Sequence, residues 1–554
     1  MVLLGPPGSG KSTLLRHYEL ECASAALAQA ADDLSQAPLT FFVALNDYRT
    51  SGSSTVLLPP LDWLAAQWST CCPELPGLLE LLRARRLTLL LDALNEMPVA
   101  GTEAVQQWKA LLRTLARDYP GNRVVFSCRA LEYSVTLSSK DLPVPQMRIE
   151  ELSDAQVEDF LLRYSPAHGA TLWQNLQDTP QLEMLRTPYY LRLLVEHSRS
   201  GEIPTGRAAL FTAFVRQGVQ REVHGDNPLS QPGALLHARD VARLADQDWP
   251  PCALPERGPL FPKLSALAFE MQTHRAAHEA GQVRVAYDVA LAMLDHGQAE
   301  KILQAGEALG VLDEQRGQDQ VLYRHQLLQE YCAARHLAQA PQADLVHQEW
   351  HVERVQPGLQ ETLRTLADSD PLPPLPSTGW EETMLLAAAM ASDPARFITE
   401  LMAHNLPLAG RCAAQPDVEI PETLKDEVRW GLVARTQEAS ADLRARIAAG
   451  LALGELGDPR FERRLGPHGA YLLPPLVHIP GGTYRIGSDE GRYEDEAPAH
   501  EVVLVPFALG QFPVTNAEWA LFMQAGGYDD PRWWDTTEAQ AWQRGESTAT
   551  GARQ

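Results

Sequence analysis

Val2-Leu3-Leu4-Gly5-Pro6-Pro7-Gly8-Ser9-Gly10-Lys11-Ser12-Thr13 opens the chain almost at once. From Gly5 to Ser12 it fits the spacing G-x-x-x-x-G-K-[ST]. Gly5, Gly8 and Gly10 let the backbone wrap closely enough for its N–H groups to face phosphate oxygens. Lys11 reaches the terminal phosphates, and the Ser12 hydroxyl is a ligand for Mg²⁺, with Thr13 beside it in the same turn. The apolar residues before Gly5 predict a buried strand. The stretch STLLRHYELECASAALA predicts a helix whose N-terminus faces the anion. A chance glycine-rich turn would not bring strand, loop and helix in this order. A nucleoside triphosphate with Mg²⁺ is the expected ligand, ATP or ADP.

Such a loop needs an acidic strand to hold the metal and polarise water. RRLTLLLDALNEMP supplies it: Leu87 to Leu91 is apolar but for Thr88, as in a strand buried on both faces of a parallel sheet. Asp92 falls at the carboxyl end of that strand, where such sheets place ligand groups. It is the candidate for the Mg²⁺-water shell, with Glu96 as the water-activating base. Two further strands are expected, in PLTFFVALNDYR ending at Arg49 and in NRVVFSCRALEY ending at Ser127-Cys128-Arg129. Arg129 leaves the sheet on the phosphate side, either to sense a γ-phosphate or to pair with a carboxylate.

At 554 residues the chain exceeds what one hydrophobic core usually serves, so several domains are expected. A formal net charge of −24 argues against a general binder of nucleic-acid backbones, although one local basic face could escape that average. No apolar run is long enough to span a bilayer and no basic-then-apolar leader is present, so no membrane partner and a cytoplasmic location are expected. Of seven cysteines only Cys71 and Cys72 are close in sequence, which is neither a zinc pattern nor a disulfide ladder.

The ordered motifs resemble the NACHT module of the STAND class of P-loop NTPases. That family follows its apolar strand with Asp, a tiny residue, an apolar residue and two acids; here the run is Asp92-Ala93-Leu94-Asn95-Glu96. Asn95 stands where an acid is usual, and an amide can orient a water without taking its proton. IEELSDAQVEDFLLRY and LEMLRTPYYLRLLVE resemble the helical segment after the core, which implies that Pro188 lies near the adenine. Proline also suits a first helical turn. AGEALGVLDEQRGQDQVLYRHQLLQEYCAARHLA reads as helix, two short strands around Arg316-Gly317, and helix. It resembles the winged-helix end of NACHT proteins. The likeness makes His325 the residue that reaches the β-phosphate of ADP; the other reading is a structural histidine at a strand–helix junction. What the resemblance implies is a switch and a slow Mg²⁺-dependent ATPase. ADP holds the unit closed, ATP opens it for self-association, and an unidentified protein or ligand triggers the exchange.

The expected fold class is therefore multidomain. An α/β NTPase core with a parallel sheet covers 1–148, a helical domain 149–204 and a winged-helix-type domain 205–340. An α-helical region follows over 341–464, where LRARIAAGLALGELGDPRF resembles one HEAT-type unit closed by Gly457-Asp458-Pro459. Residues 465–554 turn to strands. Ile479-Pro480-Gly481-Gly482, Ile486-Gly487-Ser488, Glu496-Ala497-Pro498-Ala499-His500 and Val514-Thr515-Asn516 resemble the start of the formylglycine-generating enzyme (sulfatase-modifying factor) family, with its α+β, C-type-lectin-like fold. Active members of that family use two cysteines of their own with copper. The last cysteine here is Cys412, so those roles map onto no residue of this chain. The expectation is an incomplete module on a partial gene product. The alternatives are a sulfatase-modifying enzyme regulated by the NTPase, and a sensor with a non-catalytic C-terminal ligand-binding domain.

Overall fold

Apolar runs of a few residues suit strands covered on both faces. In the computed structural model, β1 (Val2–Gly5) and β3 (Leu87–Asp92) are buried at every position. The structure describes all residues except 30–36, 49–57, 98–101, 178, 180, 198–202, 226–233, 245–248, 279–283, 467–468, 492–495 and 546–554, so Arg49 lies outside the described residues. With β2 (Leu39–Ala44), β4 (Arg123–Arg129) and β5 (Gln146–Arg148), they form a five-stranded sheet in the order β2-β3-β4-β1-β5. Every pairing is parallel. The fifth strand was not anticipated: Gln146–Arg148 is too short to show a period and is held by pairing along Val2–Leu4.

Parallel strands put all their carboxyl ends on one edge, and the crossover order decides which ends are neighbours. Because β4 lies between β1 and β3, Arg129 pairs in register with Gly5 on one side. On the other side Leu91 pairs with Phe126, which brings Asp92 beside Ser127. The sheet rests on aromatic side chains in edge-to-face contact, with Trp108 meeting Tyr48, Trp63 and Phe126.

From Val157 to Leu456 one hydrophobic cluster runs through the helical part of the chain. The strands flanking Arg316-Gly317, Leu312–Gln315 and Gln320–Tyr323, pair as expected. A third strand, Val285–Ala286, adds to the second of them; two residues carry no pattern that sequence could reveal. The helix Gln326–Gln339 that follows is buried on nearly every side, including Gln326, Gln329, Glu330 and Arg335. It lies between the helices Leu260–His278 and Glu381–Met390.

The chain divides into two compact units, Met1–Leu456 and Gly457–Gln554. The helix Leu443–Leu456 stops where Gly457 adopts a φ of +93°. The second unit is built of strand pairs, Glu462–Gly466 with Gly469–Leu473, Leu476–Ile479 with Phe507–Gly510, and Gly482–Ile486 with His500–Leu504. The helix Asn516–Gln524 follows, started by a capping box from Thr515 and Glu518. Among this unit's described residues only Gly527 is buried. Leu465, Val503 and Val505 are each more than three-quarters exposed. No helix among the described residues is long and apolar enough to cross a membrane.

Candidate functional site

Gly8 and Gly10 have φ of +77° and +87°, a backbone region costly to any residue with a Cβ. Backbone of this kind turns successive N–H groups into one concavity, the form of an anion-binding nest. Nothing lies within 4 Å of the place where a Cβ would stand on Gly10, so that face admits close approach. At Gly8 a Cβ would come within 2.8 Å of the Tyr189 Cβ and 3.4 Å of Leu327 Cδ1. The loop is thus covered from above by two distant segments. Tyr189 N–H donates to the Gly8 carbonyl at 3.2 Å, which places Pro188 one residue from the loop.

Lys11 opens the helix Lys11–Gln29, and Ser12 and Thr13 follow, exposed, in its first turn, where backbone N–H groups lack helical partners. The Lys11 ammonium donates to the carbonyls of Gly5 at 3.0 Å and Pro6 at 2.9 Å. Burial, then the charge of Arg129, brings its pKa down to about 8, against the pull of Asp92 and Glu96. Asp92 is buried at the end of β3 and accepts a very short hydrogen bond from the Ser127 hydroxyl. The Ser127 hydroxyl oxygen in turn accepts from the N–H of Ala93 at 2.8 Å, the residue whose φ of +60° turns the chain off the strand. Asn95 and Glu96 lie on the single helical turn Leu94–Glu96.

Arg129 does not stand free at the sheet edge. Its Nη1 donates to Glu132 at 3.1 Å and to Glu330, on the Gln326–Gln339 helix, at 2.9 Å. Burial would lower its pKa, but Glu330 and then Glu132 outweigh that and raise it. Asn95 joins the cluster, its Oδ1 accepting the Arg129 backbone N–H at 3.1 Å and its Nδ2 donating to Glu132 at 3.0 Å.

His325 caps the same helix: its Nδ1 accepts the N–H of Leu327 at 3.1 Å. The ring stacks on Tyr189, centroids 4.2 Å apart. Burial, then the charges of Arg129 and Lys11, bring its pKa down to about 4. A neutral ring whose Nδ1 is an acceptor carries its proton on Nε2, and that atom is a donor. Gly5, Gly8, Gly10, Lys11, Asp92, Glu96, Arg129, Pro188 and His325 all gather around one loop. Beside it lies a cavity of about 850 Å³ whose wall includes Pro6, Pro7, Arg129, Tyr190, Arg207 and Glu382. Sequence reasoning missed Tyr189, Glu132 and Glu330.

Residues 1–168 match the NACHT domain family, and residues 464–554 match the sulfatase-modifying factor enzyme 1-like domain family. The chain joins a NACHT domain to a sulfatase-modifying-factor-type domain. The hercynine oxygenase of Mycolicibacterium smegmatis is 40% identical over 92 residues, 16% of this chain and 20% of that protein. The formylglycine-generating enzyme of Mycobacterium tuberculosis is 47% identical over 57 residues, 10% of this chain and 19% of that protein. The chain thus spans about a fifth of the length of these curated relatives. Among solved structures, the Walker-type ATPase PABY2304 of Pyrococcus abyssi shares 12% identity at a TM-score of 0.25, over 60% of this chain and 90% of that one.

The NACHT loop fits a nucleotide by its own geometry: positive-φ glycines, an open face at Gly10, and a lysine in the first helical turn. Mg²⁺ on a triphosphate usually takes one or two protein ligands and completes its shell from phosphates and water. Ser12 and Asp92 match that modest demand. Among the described residues no group of three or more His, Cys, Asp or Glu could hold a metal ion.

Proposed function

We propose that the first unit is a nucleotide-controlled switch of the NACHT type, closed with ADP and opened by ATP for self-association. One observation carries this. The loop that would hold the phosphates is covered directly by the starts of two distant helices, through Tyr189 and Leu327. A ligand on that loop bears on both helices, so different phosphates bias two arrangements of one unit. The wing strands and the helix after them support the winged-helix reading of 205–340, and the stacked helices before Gly457 support a HEAT-like one for 341–464.

Within this reading Lys11 neutralises the terminal phosphates, and Ser12 and Asp92 would hold Mg²⁺, which would supply charge neutralisation at the phosphates. Ser127 keeps the Asp92 carboxylate aimed along the strand. Glu96 takes the proton from an attacking water. Asn95, already engaged on both sides, cannot. Glu96→Gln is therefore expected to slow single-turnover ATP hydrolysis by about 10²-fold or more, in line with general-base catalysis. ATP affinity should stay within about twofold of wild type. Fast hydrolysis in this variant would remove Glu96 from the role.

His325 supplies the neutral Nε2–H donor for the β-phosphate of ADP. One hydrogen bond to a charged group contributes about 1.5–3 kcal/mol, so His325→Ala should weaken ADP by about one to two decades. ATP should suffer less, and the variant should self-associate more readily. Calorimetry with both nucleotides and sedimentation velocity measure this; unchanged ADP affinity with unchanged assembly would leave His325 a helix cap only.

The second unit carries a family resemblance shared by relatives of two different named chemistries, hercynine oxygenation and formylglycine generation.

A further inference from the structure

We propose that Glu330, Glu132 and Asn95 form a latch on Arg129, and that a γ-phosphate opens the unit by drawing Arg129 away from Glu330. The inference rests on the switch reading and deepens it. Arg129 ends the strand beside the phosphate loop, in register with Gly5. Glu330 lies 201 residues further on, one turn after the His325 cap. Their ion pair joins the sheet to the helix whose first residues cover the loop. Side-chain exposure is 9% for Arg129 and 3% for Glu330, so water and salt screen the pair little. Gln326 steadies the acceptor, donating to the same Glu330 oxygen at 3.0 Å.

A single guanidinium nitrogen, Nη1, serves both Glu132 and Glu330. A γ-phosphate offers more negative charge than one carboxylate and three acceptor oxygens, within reach of a residue at this strand end. A phosphate on the loop therefore competes with Glu330 for one guanidinium. When it turns to phosphate, the helix loses this tie to the sheet and is released from the loop it covers.

Asn95 explains a departure that otherwise looks like a damaged catalytic motif. Its amide donates to Glu132 and its carbonyl oxygen accepts from Arg129 N–H. A carboxylate at position 95 could do only the second, and would set two negative groups about a hydrogen bond apart. A neutral residue here lets Glu132 stay charged and hold Arg129. The amide belongs to the latch.

The test uses the full chain, a fluorescent ADP for release kinetics and a non-hydrolysable ATP analogue for sedimentation. Glu330→Gln is expected to release ADP at least about tenfold faster, and to assemble at a tenfold lower analogue concentration. Asn95→Asp should move both readouts the same way. Arg129→Gln should also release ADP faster, yet assemble equally with ADP and analogue. Wild-type release rates in both Glu330→Gln and Asn95→Asp, with wild type still distinguishing the two nucleotides, would overturn the latch and leave the switch standing. If Glu330→Gln does not fold, Asn95→Asp decides alone. A wild-type protein that binds both nucleotides and sediments identically with each would overturn both.

Discussion

Lys11→Ala abolishes Mg²⁺-ATP binding at concentrations where wild type is saturated. Two charge-assisted hydrogen bonds from one ammonium to phosphate, at about 1.5–3 kcal/mol each, amount to a loss of about two to four decades in affinity. The sheet should survive, because Lys11 stands outside the strands and its bond to the Pro6 carbonyl is exposed to water. Lys11→Met keeps the apolar stem and serves as the packing control. The lysine also predicts a pH signature. Its pKa in the free protein is down to about 8, since burial penalises the charge. A bound phosphate favours the charged form and raises that pKa. Above pH 8 binding must therefore take up a proton, and affinity falls by up to tenfold per pH unit until the complex itself deprotonates. Calorimetry at pH 7, 8 and 9, in buffers of different ionisation enthalpy, measures affinity and proton uptake together. Equal ATP affinity in wild type and Lys11→Ala would end the nucleotide assignment.

Glu382→Ala is expected to be the most damaging substitution for stability among those considered. Glu382 accepts from Arg207 at 3.0 Å and from Arg411 at 3.3 Å, with all three side chains less than a quarter exposed. Removing the carboxylate leaves two mostly buried guanidinium groups, which costs about 3 kcal/mol. Gln415 softens the loss for Arg207, accepting at 3.1 Å. Burial works to raise the Glu382 pKa, but Arg207, Arg411 and Arg129 bring it below its ordinary value. A carboxylate depressed in this way adds stability above its unfolded pKa, and that stability disappears as pH falls through the folded one. The difference between wild type and variant should accordingly be full at pH 7 and shrink below about pH 4. Urea denaturation at pH 7 and pH 4 checks both size and sign. A difference under about 1 kcal/mol at pH 7 would mean that Arg207 and Arg411 find other partners.

The nucleotide core was legible in the sequence because its signals are local. Gly5 to Ser12 needs a particular run of residue types to make a nest, and Leu87 to Leu91 is leucine at every position but Thr88 because both faces of its strand are covered. The same locality made the two strands around Arg316-Gly317 and the helix after His325 visible, as periods in short windows. Val285–Ala286 and Gln146–Arg148 were not visible, since strands of two and three residues exist only through the partners they pair with. The state of the site was hidden for a related reason. Sequence placed Arg129 at the phosphate edge, but its partner Glu330 comes from 201 residues away and is brought there by the burial of an entire helix. Asn95 looked like a lost acid when judged by motif; beside Glu132 and the Arg129 backbone it is an amide with both ends engaged. Motif chemistry is set by neighbours along the chain, and charge pairing by neighbours in space. The residue types around the phosphate loop were therefore readable from sequence alone, and only the tertiary structure decided which charge each one faces.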